Sequence, residues 1–273
     1  LKREHAGYVH GYSAREARRL LDQAASVRDL LHHDTRFAAG SRVLEPGCGI
    51  GAQTVTLAAN SPGATFVSCD ISRGSLDTAA GRIREHGLGN VHLLRADLYA
   101  LPFAPATFDG IFVCHLLEHL REPVDALRTL VAAVRPGGSV TVVEGDHGSC
   151  YFHPTTDEAV QAWQCLIRAQ AELGGDSLIG RRLHAVVTEA GGRDAVVSPR
   201  MVYADRSRPA VMDAFVLKTI VPMVEGVADQ ALERGYIEPS AWTKGLADLR
   251  AIAASEAGVF CYTFFKAVAI VGP

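Results

Sequence analysis

Val43-Leu44-Glu45-Pro46-Gly47-Cys48-Gly49-Ile50-Gly51 is the stretch on which the reading of this chain turns. An apolar run feeds three alternating glycines, and residues 52–59 then carry a helical pattern. Glycine permits tight dihedrals and lets a ligand approach the main chain closely. A helix that starts there leaves N–H groups without partners. Val43 and Leu44 close a short strand that begins near Ser41. The next strand, Thr65 to Cys69, ends at Asp70, where a carboxylate can accept both hydroxyls of a ribose. The alternation continues outward. Ser72 caps a helix that runs to about His86 and stops at Gly87 and Gly89. Strand 91–95 ends near Asp97, Pro102 and Pro105 mark a loop, and strand 109–114 precedes a helix over 123–134. Pro136-Gly137-Gly138 reads as a turn into a fifth strand, Ser139 to Glu144. This order predicts an α/β fold, with a largely parallel sheet and helices on both faces.

Upstream, residues 13–32 are helical in pattern, with Ser13 placed to cap and Glu16 three residues later. Tyr8-Val9-His10-Gly11-Tyr12 precedes them and reads as a packing arm or as a lid. Downstream, helices are expected at 157–173 and 178–190, a strand at 194–203, helical pieces at 208–234 and 240–255, and a last strand at 259–271. That last strand is expected at the sheet edge beside 194–203. The roughly 50 residues between the two are too many for a bare connection and read as a helical cap. The expected division is an N-terminal helical arm or lid, 1–35, and one domain, 36–273, with cap elements at about 155–175 and 208–255.

Composition narrows the classes. Of 273 residues, 48% are hydrophobic and 21% charged, which excludes disorder. A formal charge of -3 offers no broad face for a phosphate backbone. No run approaches ~18 apolar residues, so no membrane span is expected. The start Leu1-Lys2-Arg3-Glu4-His5 lacks the apolar core of a secretory signal. Six scattered cysteines without a CxxC pair read as reduced thiols, and the expected location is cytoplasmic.

The glycine motif has competitors. A nicotinamide site usually takes GxGxxG, and Glu45 would repel a pyrophosphate. A phosphate loop needs Gly-Lys-Ser/Thr, which is missing. Taken with Ser68-Cys-Asp-Ile-Ser72, Arg95-Ala-Asp-Leu98, Leu101-Pro-Phe103, Phe108-Asp109 and Arg135-Pro-Gly-Gly138, the stretch resembles a class I S-adenosylmethionine-dependent methyltransferase of the UbiE/Methyltransf_11-like superfamily. The resemblance covers about residues 40–145. It implies a Rossmann-like seven-stranded methyltransferase sheet, with the helical insertion between the last two strands. It also implies S-adenosyl-L-methionine as cofactor and S-adenosyl-L-homocysteine as product. By the same resemblance, Glu45, Gly47, Cys48 and Gly49 lie at the methionine moiety and Asp70 holds the ribose. Ile71 packs on the adenine, Asp97 accepts the adenine amino group, and Leu98 lies beside the ring. Gln53, His115 and Tyr12 complete the implied cofactor set, and Cys114 lines its edge. Two departures stand out. Pro46 replaces the more usual Asp, Ala or Val, and the fourth strand lacks the Asn-Pro-Pro-Tyr pattern of amino-group methylation of bases.

Methyl transfer needs an aligned acceptor, often a proton acceptor, and exclusion of water. In a doubly wound sheet those groups belong at the carboxyl edge. Cys114-His115-Leu116-Leu117-Glu118-His119 sits there; its order is HxxEH, not the HExxH of zinc peptidases, and no metal is expected. A polar loop is expected from Glu144 to Pro154. There His147 is the first candidate for a base or orienting group, followed by Tyr151 and His153. His115 and Tyr12 complete the catalytic candidates. Phe215, Lys218, Met223 and Glu225 are candidates for the acceptor wall, and Arg200 for pairing with a buried acid. The expected reaction is methylation of a small-molecule acceptor, without nucleic acid or membrane partners and with a homodimer open. The alternatives are C3-methylation of the indole of a tryptophan-containing cyclic dipeptide giving a pyrroloindoline, RNA or protein methylation, and cofactor binding without catalysis. The first rests on a similarity to indole C3-methyltransferases of specialised metabolism, carried by the Tyr8–Tyr12 arm and the Glu144–Pro154 loop.

Overall fold

The computed structural model describes residue 11 and residues 13–272. Tyr8, His10 and Tyr12 lie outside the described residues, and with them the arm-or-lid reading. The strands are β1 Arg42–Pro46, β2 Thr65–Asp70, β3 Val91–Arg95, β4 Phe108–Cys114, β5 Val134–His153, β6 Gly192–Ala204 and β7 Val259–Val271. They form one seven-stranded sheet in the order β3-β2-β1-β4-β5-β7-β6. Neighbours among β1 to β5 pair in parallel, while β7 is antiparallel to both β5 and β6.

Burial explains this order. Val43 and Leu44 of β1 and Ile111, Phe112 and Val113 of β4 are buried on both faces, as central parallel strands must be. The final strand is not at the edge. Phe260, Tyr262 and Phe264 enter one core and Ala267 and Ala269 the other, so β7 sits between β5 and β6. The edge falls to β6, whose Pro199 has no N–H for a further partner.

The helices on the first face are α1 Ala14–His32 and α2 Thr54–Asn60, with α3 Arg73–Glu85 following β2. Ser13 caps α1 by accepting from the Glu16 N–H at 3.1 Å. α4 Pro123–Ala132 and α6 Leu183–Glu189 cover the opposite face, where Leu127, Leu130, Val186 and Val187 pack on Leu44, Ile111 and Val142. α5 Asp157–Glu172 and the insertion between β6 and β7 form the cap. Its elements are a helical stretch over 209–225, containing a π-helix at Met212–Ile220, and helices Ala228–Glu233 and Pro239–Ile252. Cap residues Trp163, Phe215, Val224 and Leu249 share one core with Phe66, Phe112 and Phe260 of the sheet. No helix among the described residues is long and apolar enough to cross a membrane.

The Glu144–Pro154 segment is not a loop. β5 runs on to His153, and residues 151–153 pair with Cys261, Phe260 and Val259. Its register shifts between Asp146 and Tyr151, so residues 147–150 form a bulge against β7. Pro136–Gly138 likewise lies inside the strand as an irregularity, with Gly137 at φ +76°.

Candidate active site

A cavity of about 480 Å³ opens at the carboxyl ends of β1, β2 and β4. That is the size and place at which doubly wound sheets bind small ligands. The glycine turn forms its floor. Gly47 (φ +66°) and Gly49 (φ +53°) hold left-handed dihedrals, and a Cβ on Gly47 would lie 2.7 Å from Leu116 Cδ1. Gly47, Cys48, Gly49, Gln53, Asp70, Ile71, Asp97, Leu98 and His115 all line this cavity.

Asp70 is held in place by the turn it faces. Its Oδ2 accepts from the Gly49 N–H at 2.9 Å and its Oδ1 from the Ser72 N–H at 2.8 Å. Each oxygen keeps a lone pair for a hydroxyl. Ile71 is 43% exposed, an open apolar platform beside it. Asp97 begins the short helical turn Leu98–Ala100, its Oδ1 accepting from the Tyr99 N–H at 2.9 Å. The amide oxygen of Gln53 contacts His32 Nε2 at 2.8 Å.

Glu45 departs from expectation. It does not line the cavity: it is 3% exposed, and its Oε2 accepts from Thr54 Oγ1 at 2.8 Å and Ser68 Oγ at 2.6 Å. Burial pushes its carboxyl up to about 7. Its work is to brace the turn by tying β1 to β2 and α2. The physical reason is its seat inside β1, where the Thr54 and Ser68 hydroxyls engage its carboxyl away from the cavity.

A smaller inner cavity of about 50 Å³ adjoins the first and shares Leu20, Gln23, His115 and His119 with it. Arg19, Glu118, His147, Phe215, Met223, Tyr262 and Phe264 complete most of its wall. His115 follows β4 with φ +51°, an uncommon conformation for a residue with a side chain, and its ring lies 5.2 Å from that of Phe264. Its Nε2 is buried without a hydrogen-bond partner, as is Nε2 of His147. Burial lowers the pKa of His115, His119 and His147 to about 4, so all three rings are neutral at pH 7.

The β5 bulge aims His147 inward. Arg181 clamps Asp146 with two bonds of 2.9 Å, the Gly148 N–H donates to Asp146 Oδ1, and the His147 N–H donates to the Ser177 carbonyl. The His147 ring stacks on Trp163 at 5.3 Å, and its Nδ1 lies 2.9 Å from the Tyr262 hydroxyl. Asp146 is therefore a structural clamp.

Tyr151 and His153 are not brought to the site. Both are exposed on the far extension of β5, and neither lines either cavity. The bulge separates them from His147 and sets them on outward positions. Lys218 pairs with Asp213 on the surface, and Glu225 pairs with Arg15 and Arg250. Arg200 pairs with Asp34. Phe215 and Met223 do reach the inner cavity, brought there by the helical stretch over 209–225. Tyr262, Phe264 and the α1 residues Arg19, Leu20 and Gln23 were given no place at the site by sequence, and Glu118 was placed at the strand end without a role of its own. Only the alternation Phe260, Tyr262, Phe264 in β7 signals an inward face. Among the described residues no group of His, Cys, Asp or Glu fits a metal ion.

The donor set fits an adenosyl ligand: an acid flanked by backbone N–H groups at the end of β2, an open apolar platform, and a second acid at the end of β3. Comparison with known proteins agrees. Residues 43–138 match the family described as a methyltransferase domain. Methyltransferase GfsG of Streptomyces halstedii is 30% identical over 126 residues, covering 46% of this chain and 45% of its own. The O-methyltransferase cnsE of Penicillium expansum is 30% identical over 162 residues, covering 57% and 56%. The chain thus spans about half the length of these curated relatives. Among solved structures, Haemonchus contortus phosphoethanolamine N-methyltransferase 2, in complex with phosphomonomethylethanolamine and S-adenosylhomocysteine, superposes with a TM-score of 0.56. It is 15% identical, with 92% of this chain and 53% of that one covered. Over residues 43–138 the chain is thus similar to methyltransferase domains, and its fold is that of the superposed methyltransferase structure.

Proposed function

We propose that this chain transfers a methyl group from S-adenosylmethionine to a small-molecule acceptor whose reacting end sits at the inner cavity. The observation that carries this reading is the pair of cavities that meet at His115: a larger one with adenosyl-binding character and a small, aromatic one beside it. When bound, S-adenosylmethionine supplies a methyl group on a sulfonium, already an excellent leaving group. The protein's part is to align and to keep water out. Asp70 and Asp97 fix the nucleoside end in this reading, with Ile71 and Leu98 against the ring, and Gly47 to Gly49 offer backbone at the other end. His115 and His147 orient the acceptor, and the Glu118 carboxylate and the His115 imidazole are the groups that can take its proton.

Phe215, Tyr262 and Phe264 favour a flat aromatic acceptor. The indole of a tryptophan-containing cyclic dipeptide is one such acceptor, and phenols and heteroaromatic amines are others. The small volume of the inner cavity, about 50 Å³, disfavours an RNA or protein chain. Incubation with methyl-labelled S-adenosylmethionine and a panel of aromatic acceptors should label one class, and His115→Ala should abolish the labelling. Label passing instead to RNA or protein would move the function to a macromolecular substrate. Cofactor binding with no transfer to anything would leave a binding protein.

A further inference from the structure

The inner cavity has a polarity that the Tyr262–His147 contact sets. The two groups meet at 2.9 Å, and the Tyr262 side chain, 2% exposed, shows no other hydrogen bond among the described residues. One hydrogen lies between them. A phenol is a stronger donor than a neutral imidazole N–H, and an imidazole ring nitrogen is a stronger acceptor than a phenol oxygen. A buried hydroxyl that failed to donate would also forfeit its bond. The hydrogen therefore belongs to Tyr262, which donates to Nδ1. Neutral imidazole carries one N–H, so that proton is on Nε2. Nε2 is the buried atom without a partner, on a residue that lines the inner cavity. The ring stacks on Trp163, whose Nε1–H donates to the His147 carbonyl at 2.9 Å, so the two residues are held together.

We propose that Tyr262 is a positioning residue that locks His147 as an Nε2–H donor, so that the ligand of the inner cavity carries a lone-pair atom, of carbonyl type, opposite it. This rests on the inner cavity being the acceptor seat. It makes His147 a reader of the acceptor, and leaves proton removal to a group other than His147.

The lock can be tested without any methyl transfer, which separates its failure from that of the methyltransferase reading. Long-range 1H–15N spectra of the full chain, labelled at histidine, report which ring nitrogen is protonated; the His147 signals are assigned by their loss in His147→Asn. The expected result is an unprotonated Nδ1 and a protonated Nε2, converting to a mixture of tautomers in Tyr262→Phe. A protonated Nδ1 in the native chain overturns the proposal, and the native spectrum alone decides this if the variant does not fold. The ligand half is tested with acetone and isobutene, small enough for the inner cavity and similar in shape but differing in the carbonyl. Acetone should bind at least tenfold more tightly and shift the Nε2 signal. Equal affinity for the two, or binding of neither, overturns it.

Discussion

Asp70 and Glu45 are two carboxylates at the ends of adjacent strands with different work. Asp70 faces the larger cavity while holding the Gly49 and Ser72 N–H groups; Glu45 faces away and holds two hydroxyls. Asp70→Ala should therefore weaken S-adenosylhomocysteine binding at least tenfold by titration calorimetry. Glu45→Ala leaves the Thr54 and Ser68 hydroxyls unpaired, which costs about 1–3 kcal/mol. It should lower the urea midpoint while changing cofactor affinity less than Asp70→Ala does; the reverse ranking would return Glu45 to the binding surface. The position of Asp70 on the cavity wall was legible because a strand end plus a glycine turn defines a place for it. Glu45 was misread because sequence shows that an acid precedes the turn but not which side of the sheet it takes.

At the scale of elements, the bulge in β5 is the decisive device. Bulges re-aim side chains and often stand beside active sites. Here Asp146 is buried and Arg181, from the short helical turn Ile179–Arg182, closes on it with two bonds. Arg181→Gln should cost about 1.5–3 kcal/mol, the range for hydrogen bonds to a charged group. It should also perturb the His147 signals, as read by chemical denaturation and histidine NMR. The strand and helix order from β1 to α4 was readable, because hydrophobic periodicity changes with each element and glycines and prolines punctuate it. The bulge was not. Glu144-Gly145-Asp146-His147-Gly148-Ser149 has the composition of a loop, and only pairing with β7, more than a hundred residues later, makes it strand. The nine-residue π-helix Met212–Ile220, whose Phe215, Thr219 and Ile220 reach the inner cavity, was likewise read only as helix. A wide turn of that kind frequently marks functional ground.

Across the whole molecule, four histidines, His32, His115, His119 and His147, have pKa values lowered to about 4 by burial. The unfolded chain binds protons at these sites near pH 6.5 and the folded chain only near 4. Between those values the unfolded state carries more protons, so stability is lost as pH falls through the window and regained as it rises. Glu45, raised to about 7, and Glu144, raised by burial and by the neighbouring Glu118, act oppositely above 4.5, but they are two groups against four. Thermal melts should thus show Tm climbing by several degrees from pH 4.5 to 6.5. A flat or falling profile there would mean that these rings are solvated. The seven-stranded core and the helical insertion between β6 and β7 were foreseeable from element order. The inward placement of β7 was not, because adjacency in sequence does not say which strand of a pair is outermost.

Leu20 and Gln23 of α1 and His115 and His119 after β4 belong to both cavities. Two occupants that press on the same four side chains cannot associate independently. Whatever factor the nucleoside ligand imposes on the second molecule's dissociation constant, the second must impose on the first, because the cycle of states closes. The shared wall thus makes coupling between the two occupants a property of the fold: isotherms for either ligand, run with and without the other, should shift by one common ratio.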